Sequence, residues 1–252
     1  MEQLPAAPSF RLDGSTALIT GASRNIGRAI ASAFAHAGSD LVIVARDPVR
    51  LGLVAESIRG ETGVVVREVA TDIASTEGLD SVMRELDAGP VDILVNNAHI
   101  TGGTTSIVSA DDELWNTVFS TNLWAPLRLA RRLLPQMTAA GSGCIINLMS
   151  GSGLQPTPEL APYGVSKAAL WMLTRYLAVE AAPTVRVNAL CPGLVSEDGT
   201  PRNESHRAII GTVPMGRVGR PEEIAGAAVY LASSAASYVT GELLIVNGGR
   251  PW

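Results

Sequence analysis

The chain has 252 residues, 46% of them hydrophobic and 17% charged, with a formal net charge of −5. That balance suits a soluble globular protein with a filled core, and the absence of any Lys or Arg run argues against nucleic acid or an acidic membrane surface as partner. No apolar run is long enough to span a bilayer, and Met1 to Arg11 lack the basic-then-apolar order of a signal peptide, so a cytoplasmic location is expected.

Residues 1–11, with Pro5 and Pro8, read as a loose tail before a single domain over 12–252. Short β-branched runs then alternate with longer helical stretches. Strands are expected at Thr16–Thr20, Asp40–Ala45, Val64–Val69, Val91–Val95, Cys144–Leu148, Val185–Leu190 and Leu243–Val246. Helices are expected at Ile26–Ala37, Val49–Arg59, Glu77–Leu86, Asp112–Met137, Pro162–Ala182 and Glu222–Ala232. Strands apolar on both faces, separated by helices, imply an α/β fold: a doubly wound, Rossmann-type parallel sheet of about seven strands with helices on both sides. Residues 194–214 break the alternation, with one short helix near Glu204–Ile210. An irregular stretch of that length reads as a substrate-side lid. Cys144 and Cys191 sit in apolar runs and read as reduced core thiols.

The first strand runs into Thr20-Gly21-Ala22-Ser23-Arg24-Asn25-Ile26-Gly27 and then a helix, the setting in which backbone amides at a helix N-terminus receive a pyrophosphate. Asn25 stands where a further glycine is expected, and Asn tolerates a left-handed backbone better than other side chains. The second strand ends at Arg46 rather than at an acidic residue. A 2′-phosphate suits guanidinium geometry, so Arg46 and Arg24 favour NADP(H) over NAD(H). Asp47, followed by Pro48, reads as a helix N-cap.

Tyr163 and Lys167 fall at i and i+4 of one expected helix, with Ser150 thirteen residues before the tyrosine. An ammonium beside a phenol favours phenolate and draws a tyrosine pKa down from about 10. Taken alone, the pair could equally be a solvated helix face.

The ordered set Thr20-Gly21…Gly27, Asp72, Asn96-Asn97-Ala98, Asn122, Ser150, Tyr163…Lys167, Pro192-Gly193 and Val246-Asn247-Gly248-Gly249 resembles a classical short-chain dehydrogenase/reductase from about residue 12 to residue 249. The resemblance implies that Asp72 and Ile73 receive the adenine, that Asn97 and Ala98 line the cofactor cleft, and that Asn122 holds a water in a relay to Lys167. It further implies that Ser150 binds the substrate carbonyl and Tyr163 transfers the proton. Lys167 then holds the nicotinamide ribose and tunes Tyr163. Pro192, Gly193 and Val195 flank the nicotinamide. Two positions depart from the family pattern. His99 stands where a glycine follows Asn-Asn-Ala, leaving open whether its imidazole meets substrate. Glu197 stands where a threonine is often found, so that either Ser196 or the Val195 amide takes its place.

The expected reaction is interconversion of a ketone or aldehyde with an alcohol. The pattern is similar to 3-oxoacyl-carrier-protein reductases, with sugar and polyol dehydrogenases as the alternative. A non-catalytic dinucleotide sensor is a third reading, though it would have no need of the acid–base set. Arg131 and Arg132 are candidates for docking an acyl carrier, and Arg202, Arg207, Arg217 and Arg220 for an anionic substrate. His36, His99 and His206 form no ligand set, and no metal is expected. Trp115, Trp124 and Trp171 suggest subunit contacts through the helices over 112–137 and 162–182, in a homotetramer. Trp252 is a candidate for reaching a neighbouring subunit's cleft.

Overall fold

A computed structural model describes residues 7–86, 89–201 and 204–251. Among them, seven parallel strands lie in the order β3-β2-β1-β4-β5-β6-β7. The strands are β1 Thr16–Thr20, β2 Asp40–Ala45, β3 Val66–Ala70, β4 Ile93–Asn96, β5 Gly143–Leu148, β6 Val185–Pro192 and β7 Leu243–Val246. The order reverses between β1 and β4, and at such a switch point the loops leaving the strand ends diverge and open a crevice.

Each central strand is apolar on both faces because both faces are covered. Ala17 and Ile19 of β1, with Leu41 and Ile43 of β2, pack into one cluster. Leu18, Val42 and Val44 pack into the cluster on the other side. The first cluster is closed by α1 (Asn25–His36), α2 (Pro48–Thr62) and α8 (Pro221–Ala232). The second is closed by α3 (Thr76–Leu86), α5 (Ala125–Ala140) and α6 (Ala161–Ala181). The doubly wound single-layer sheet expected from the strand pattern is therefore present, with ends shifted by one or two residues at most elements.

Local chemistry sets several of these boundaries. Asp47 accepts from the amides of Val49 and Arg50, Pro48 opens α2, and Gly63, at φ 75°, closes it. Such a start and stop needs no tertiary help. Both cysteines are free and buried. The short helix in 194–214 is α7, Glu204–Ile210.

One expected element divides. The helix from Asp112 runs as α4 (Asp112–Phe119), widens into a π turn over Ser120–Trp124, and resumes as α5. Pro126 has no amide to give the carbonyl of Asn122, its α-helical partner, which weakens the ladder where it widens. π turns inside α-helices recur at functional positions. Here Asn122 is at the centre of the turn, fully buried.

Candidate active site

At the switch point the turn after β1 is held against the end of β4 by two side chains. Asn97 Nδ2 donates to the carbonyls of Thr20 and Gly21, while the Thr20 hydroxyl accepts from the amides of Asn97 and Ala98. A Cβ on Gly21 would stand 2.8 Å from Asn97 Nδ2, and one on Gly27 would stand 2.2 Å from the Gly21 carbonyl oxygen. Close approach thus explains both glycines. Asn25 adopts φ 49°, the left-handed conformation expected of it. The start of α1 has no side-chain cap and no acidic residue in its first turn, so its amides and the partial positive charge of the helix end suit an anion. Ser23 and Ile26 flank this turn, and Arg24 is exposed beside it. These features fit a dinucleotide pyrophosphate.

The acceptor at that helix end belongs to the chain itself. Glu197 Oε1 accepts from the Asn25 amide at 3.1 Å and lies 3.8 Å from Arg28 Nη2. Sequence reasoning left Glu197 without a place, and the structure supplies one. Ser196, offered as a stand-in for the missing threonine, is fully buried and donates to the Thr200 carbonyl and Asp198. Its hydroxyl is committed to the loop, so that alternative is corrected. Val195 is held by a bridge to Gly219. A Cβ on Gly193 would meet Asn247 Cα at 2.7 Å, so the Pro192-Gly193 turn lies flat against the residues after β7.

At the adenosine end, exposed Arg46 leaves β2 with Nη1 4.0 Å from Asp72 Oδ2. Asp72 also accepts from the Ala74 amide, forming a local turn. Ile73 is 5% exposed and packed in the core with Val44 and Val82. An apolar side chain so enclosed has little surface left for a ring, which corrects its assignment as an adenine platform.

The second half of the cleft lies beyond β5. Ser150 caps a single tight turn, Gly151–Gly153, its hydroxyl accepting from the Ser152 amide. Gly153 and Gly164 let that turn lie on α6, since a Cβ on either would be within 3.0 Å of backbone. That contact sets the Ser150 hydroxyl beside the Tyr163 phenol, close enough to act on its ionisation. Lys167 lies beneath, fully buried, with Nζ 2.7 Å from the Leu148 carbonyl and 5.8 Å from the Tyr163 ring centre. It is the only lysine in the chain.

The electrostatics differ from expectation. Burial pushes the Tyr163 phenol above its ordinary 10, with the neighbouring Ser150 hydroxyl opposing the rise. Burial also pushes Lys167 down to about 7. A desolvated ammonium loses its own charge before it can stabilise a phenolate. Without bound ligand, then, Tyr163 is a protonated donor, and the expected drop in its pKa is not found.

Asn122 is held from both sides. Its Oδ1 accepts from the Ile100 amide, and its Nδ2 donates to the Ile100 carbonyl and to Ser166 Oγ. Ser166 in turn donates to the Tyr163 carbonyl. Its side chain thus ties the π turn to the loop after β4 and to the first turn of α6. A second buried chain joins Asn96 to Asn147 and Asn147 to Thr174. Thr20, Ser166 and Asn147 were missed as organising residues. Thr20 and Asn147 are polar residues in apolar runs, the signal that could have found them.

Two of the arginines proposed for an anion are otherwise engaged. Arg217 meets Glu223 with both guanidinium nitrogens at 2.7 and 2.6 Å, and Arg207 pairs with Glu204. Arg220 stands at the N-cap position of α8, where its backbone amide donates to Glu223, and the residue is exposed. Arg202 and Trp252 lie outside the described residues. Of the other tryptophans, Trp124 is exposed, Trp115 packs on Phe119, and Arg175 lies over the Trp171 ring. No helix among the described residues is long and apolar enough to cross a membrane.

A glycine turn at a sheet switch point, facing a Ser–Tyr–Lys corner across the strand ends, defines a dinucleotide-type oxidoreductase. A family model described as enoyl-(acyl carrier protein) reductase matches residues 21–250. The chain is 40% identical to galactitol 2-dehydrogenase (L-tagatose-forming) of Cereibacter sphaeroides, covering 95% of this chain and 96% of that one. It is 38% identical to a 3-oxoacyl-acyl-carrier-protein reductase of Vibrio harveyi, covering 95% and 98%. Among solved structures it resembles the L-sorbose reductase of Gluconobacter frateurii complexed with NADPH and L-sorbose: TM-score 0.88, 38% identity, covering 96% and 98%. The chain belongs to the short-chain dehydrogenase/reductase family.

Proposed function

We propose that the protein is an NADP(H)-dependent carbonyl reductase and alcohol dehydrogenase acting on a small ketone or aldehyde. The observation that carries this reading is the Tyr163 phenol set beside Ser150 and above a buried lysine, whose Nζ is 5.8 Å from the ring centre. A bound reduced nicotinamide supplies the hydride. The protein's own residues supply position and the proton.

Ser150 and Tyr163 would both donate to the substrate carbonyl oxygen, raising the electrophilicity of its carbon. The phenol proton would pass to that oxygen as the carbonyl is reduced to the alcohol. In the other direction a Tyr163 phenolate takes the alcohol proton. Lys167 has one ammonium hydrogen on the Leu148 carbonyl, leaving two for ribose hydroxyls. Acceptors gained there favour the ammonium, which in turn favours phenolate.

Arg24 and Arg46 would receive the 2′-phosphate, with Asp72 bonding the adenine amino group and Arg46 in reach of both. Gly21, Ser23, Asn25, Ile26 and Gly27 would cradle the pyrophosphate. Asn97 and Ala98 brace the cleft wall, and Pro192, Gly193 and Val195 would face the nicotinamide. Asn122 would keep a water on the Lys167 side through its π turn. An acyl thioester or a polyhydroxylated ketone could each be the substrate. The polyol reading gains weight from the residue after Ala98, considered below.

The chain would assemble through α5 and α6. Val165, Met172, Tyr176 and Val179 are 47%, 48%, 63% and 80% exposed along α6, with Trp124 at 45% just before α5. A stripe of that length is unusual on a monomer, and a homotetramer is the assembly we infer. A cytoplasmic setting accords with the two free thiols.

The decisive experiment is a carbonyl panel with NADPH and with NADH, wild type beside Tyr163→Phe. Turnover abolished in the variant supports the reading. If nucleotide binds and nothing turns over, and the variant is indistinguishable, the enzyme reading falls and a dinucleotide sensor replaces it.

A further inference from the structure

His99 stands at the mouth of the cleft, three residues beyond the end of β4. Its backbone is not in the left-handed region, so this position makes no conformational demand for glycine and can carry a side chain. The imidazole ring centre is 6.0 Å from that of Tyr163, tilted by 44°. Its Nδ1 lies 3.1 Å from the Asn97 carbonyl oxygen. A carbonyl only accepts, so Nδ1 carries the hydrogen there. Nε2 has no hydrogen-bond partner among the described residues.

The charge state follows from the surroundings. Crowding by protein and the nearby Lys167 push the His99 pKa down to about 4, against a small rise from the Asn97 carbonyl. The residue is nevertheless exposed to solvent. Around neutral pH the ring is therefore uncharged, with a bare nitrogen lone pair beside the proton-donating tyrosine.

We propose that His99 determines substrate specificity: its Nε2 accepts a hydrogen bond from a hydroxyl on the carbon next to the reacting carbonyl, selecting hydroxy ketones and polyols over acyl thioesters. A 3-oxoacyl chain has a methylene on each side of its ketone and offers no donor there. A ketose or polyol offers one on the adjacent carbon, while Ser150 and Tyr163 hold the reacting oxygen. Neutral His99 cannot donate from Nε2, so a ketone oxygen at that position gains nothing from it. The inference rests on the carbonyl–alcohol reading above and names its substrate class.

The test is kcat/KM with NADPH for paired ketones differing only by the adjacent hydroxyl: 3-hydroxybutan-2-one against butan-2-one, and dihydroxyacetone against acetone. Wild type should prefer the hydroxylated member of each pair. In His99→Ala that preference ratio should fall by about tenfold, the worth of one ordinary hydrogen bond. In His99→Gln, which keeps an acceptor near the same place, much of it should return. The 15N resonance of Nε2 in wild type should also shift on addition of a polyol with NADP. A ratio that is unchanged in His99→Ala, or an Nε2 signal indifferent to polyol, overturns the role of His99 and leaves the carbonyl reductase standing. If wild type binds NADPH and reduces neither member of any pair, nor any thioester, the underlying reading falls and this inference with it.

Discussion

The two halves of the cleft solve opposite problems. The Ser150–Tyr163–Lys167 corner places titratable groups where water is scarce, so each pays in desolvation and its pKa moves. The turn at Thr20–Gly27 instead recruits backbone amides and guanidinium groups that stay in water. Small errors of placement or charge should therefore be severe in the first half. In the second they should be graded and sensitive to salt.

The sharpest break is Tyr163→Phe. It keeps the ring and removes the hydroxyl proposed to give the proton, so kcat should fall by about 10²–10⁴, while NADPH affinity stays within a few-fold. Stopped-flow turnover with fluorescence titration of NADPH reads both. A loss shared equally by affinity and kcat would mean that Tyr163 shapes the nucleotide site instead.

Lys167 tests the same corner thermodynamically, and being the chain's only lysine it can be observed alone. With 13C-labelled lysine the unliganded protein should show one side-chain signal titrating near pH 7, not near 10.5. Because the folded pKa lies below the unfolded one, between those values only the unfolded chain holds the extra proton. Raising the pH through that window therefore stabilises the fold, and below about 7 the burial cost is fully present. Lys167→Met should raise Tm at pH 7 relative to wild type, with an advantage that shrinks toward pH 10. An advantage independent of pH would show that the lysine is not buried as a neutral amine.

On the nucleotide side, Arg46→Ala should weaken NADPH binding by about 10- to 100-fold, as loss of one charge-assisted contact would. NADH binding should hardly change, and raising salt should narrow the difference. Equal losses for both nucleotides would place Arg46 away from the 2′-phosphate.

These halves were also legible in the sequence to different degrees, for a physical reason. Strand alternation, the Asp47–Pro48 helix start and the left-handed Asn25 are local preferences, readable from neighbouring residues. So was α7, whose bounds match the expected Glu204–Ile210. The catalytic set was read through its resemblance, and the structure brings Ser150, Tyr163 and Lys167 together. What misled was environment. The i, i+4 spacing suggested a charged lysine acting on a phenol, but the sign of both pKa shifts depends on how deeply β5 and α6 bury them. Ile73 was assigned to adenine through the resemblance, yet its side chain is enclosed in the core. The π turn in the 112–140 helix was hidden because helical periodicity continues through it, with only Pro126 marking the place.

Glu197 offers the smallest and most specific test, because it joins the two halves. Its carboxylate comes from the 194–214 segment on the substrate side and rests on the first amide of α1, 172 residues earlier in the chain. That amide belongs to the helix end expected to receive a pyrophosphate, and one anion at such a position hinders another. Removing the charge while keeping the shape, as in Glu197→Gln, should tighten NADP(H) binding by about two- to fivefold, in line with one charge at an exposed helix terminus. The gain should fade at high salt. Because the amide oxygen of Gln can still accept from Asn25, any gain that persists unscreened would point to a changed loop position. Weaker binding in the variant would mean that Glu197 supports the cofactor turn by holding Arg28 in place.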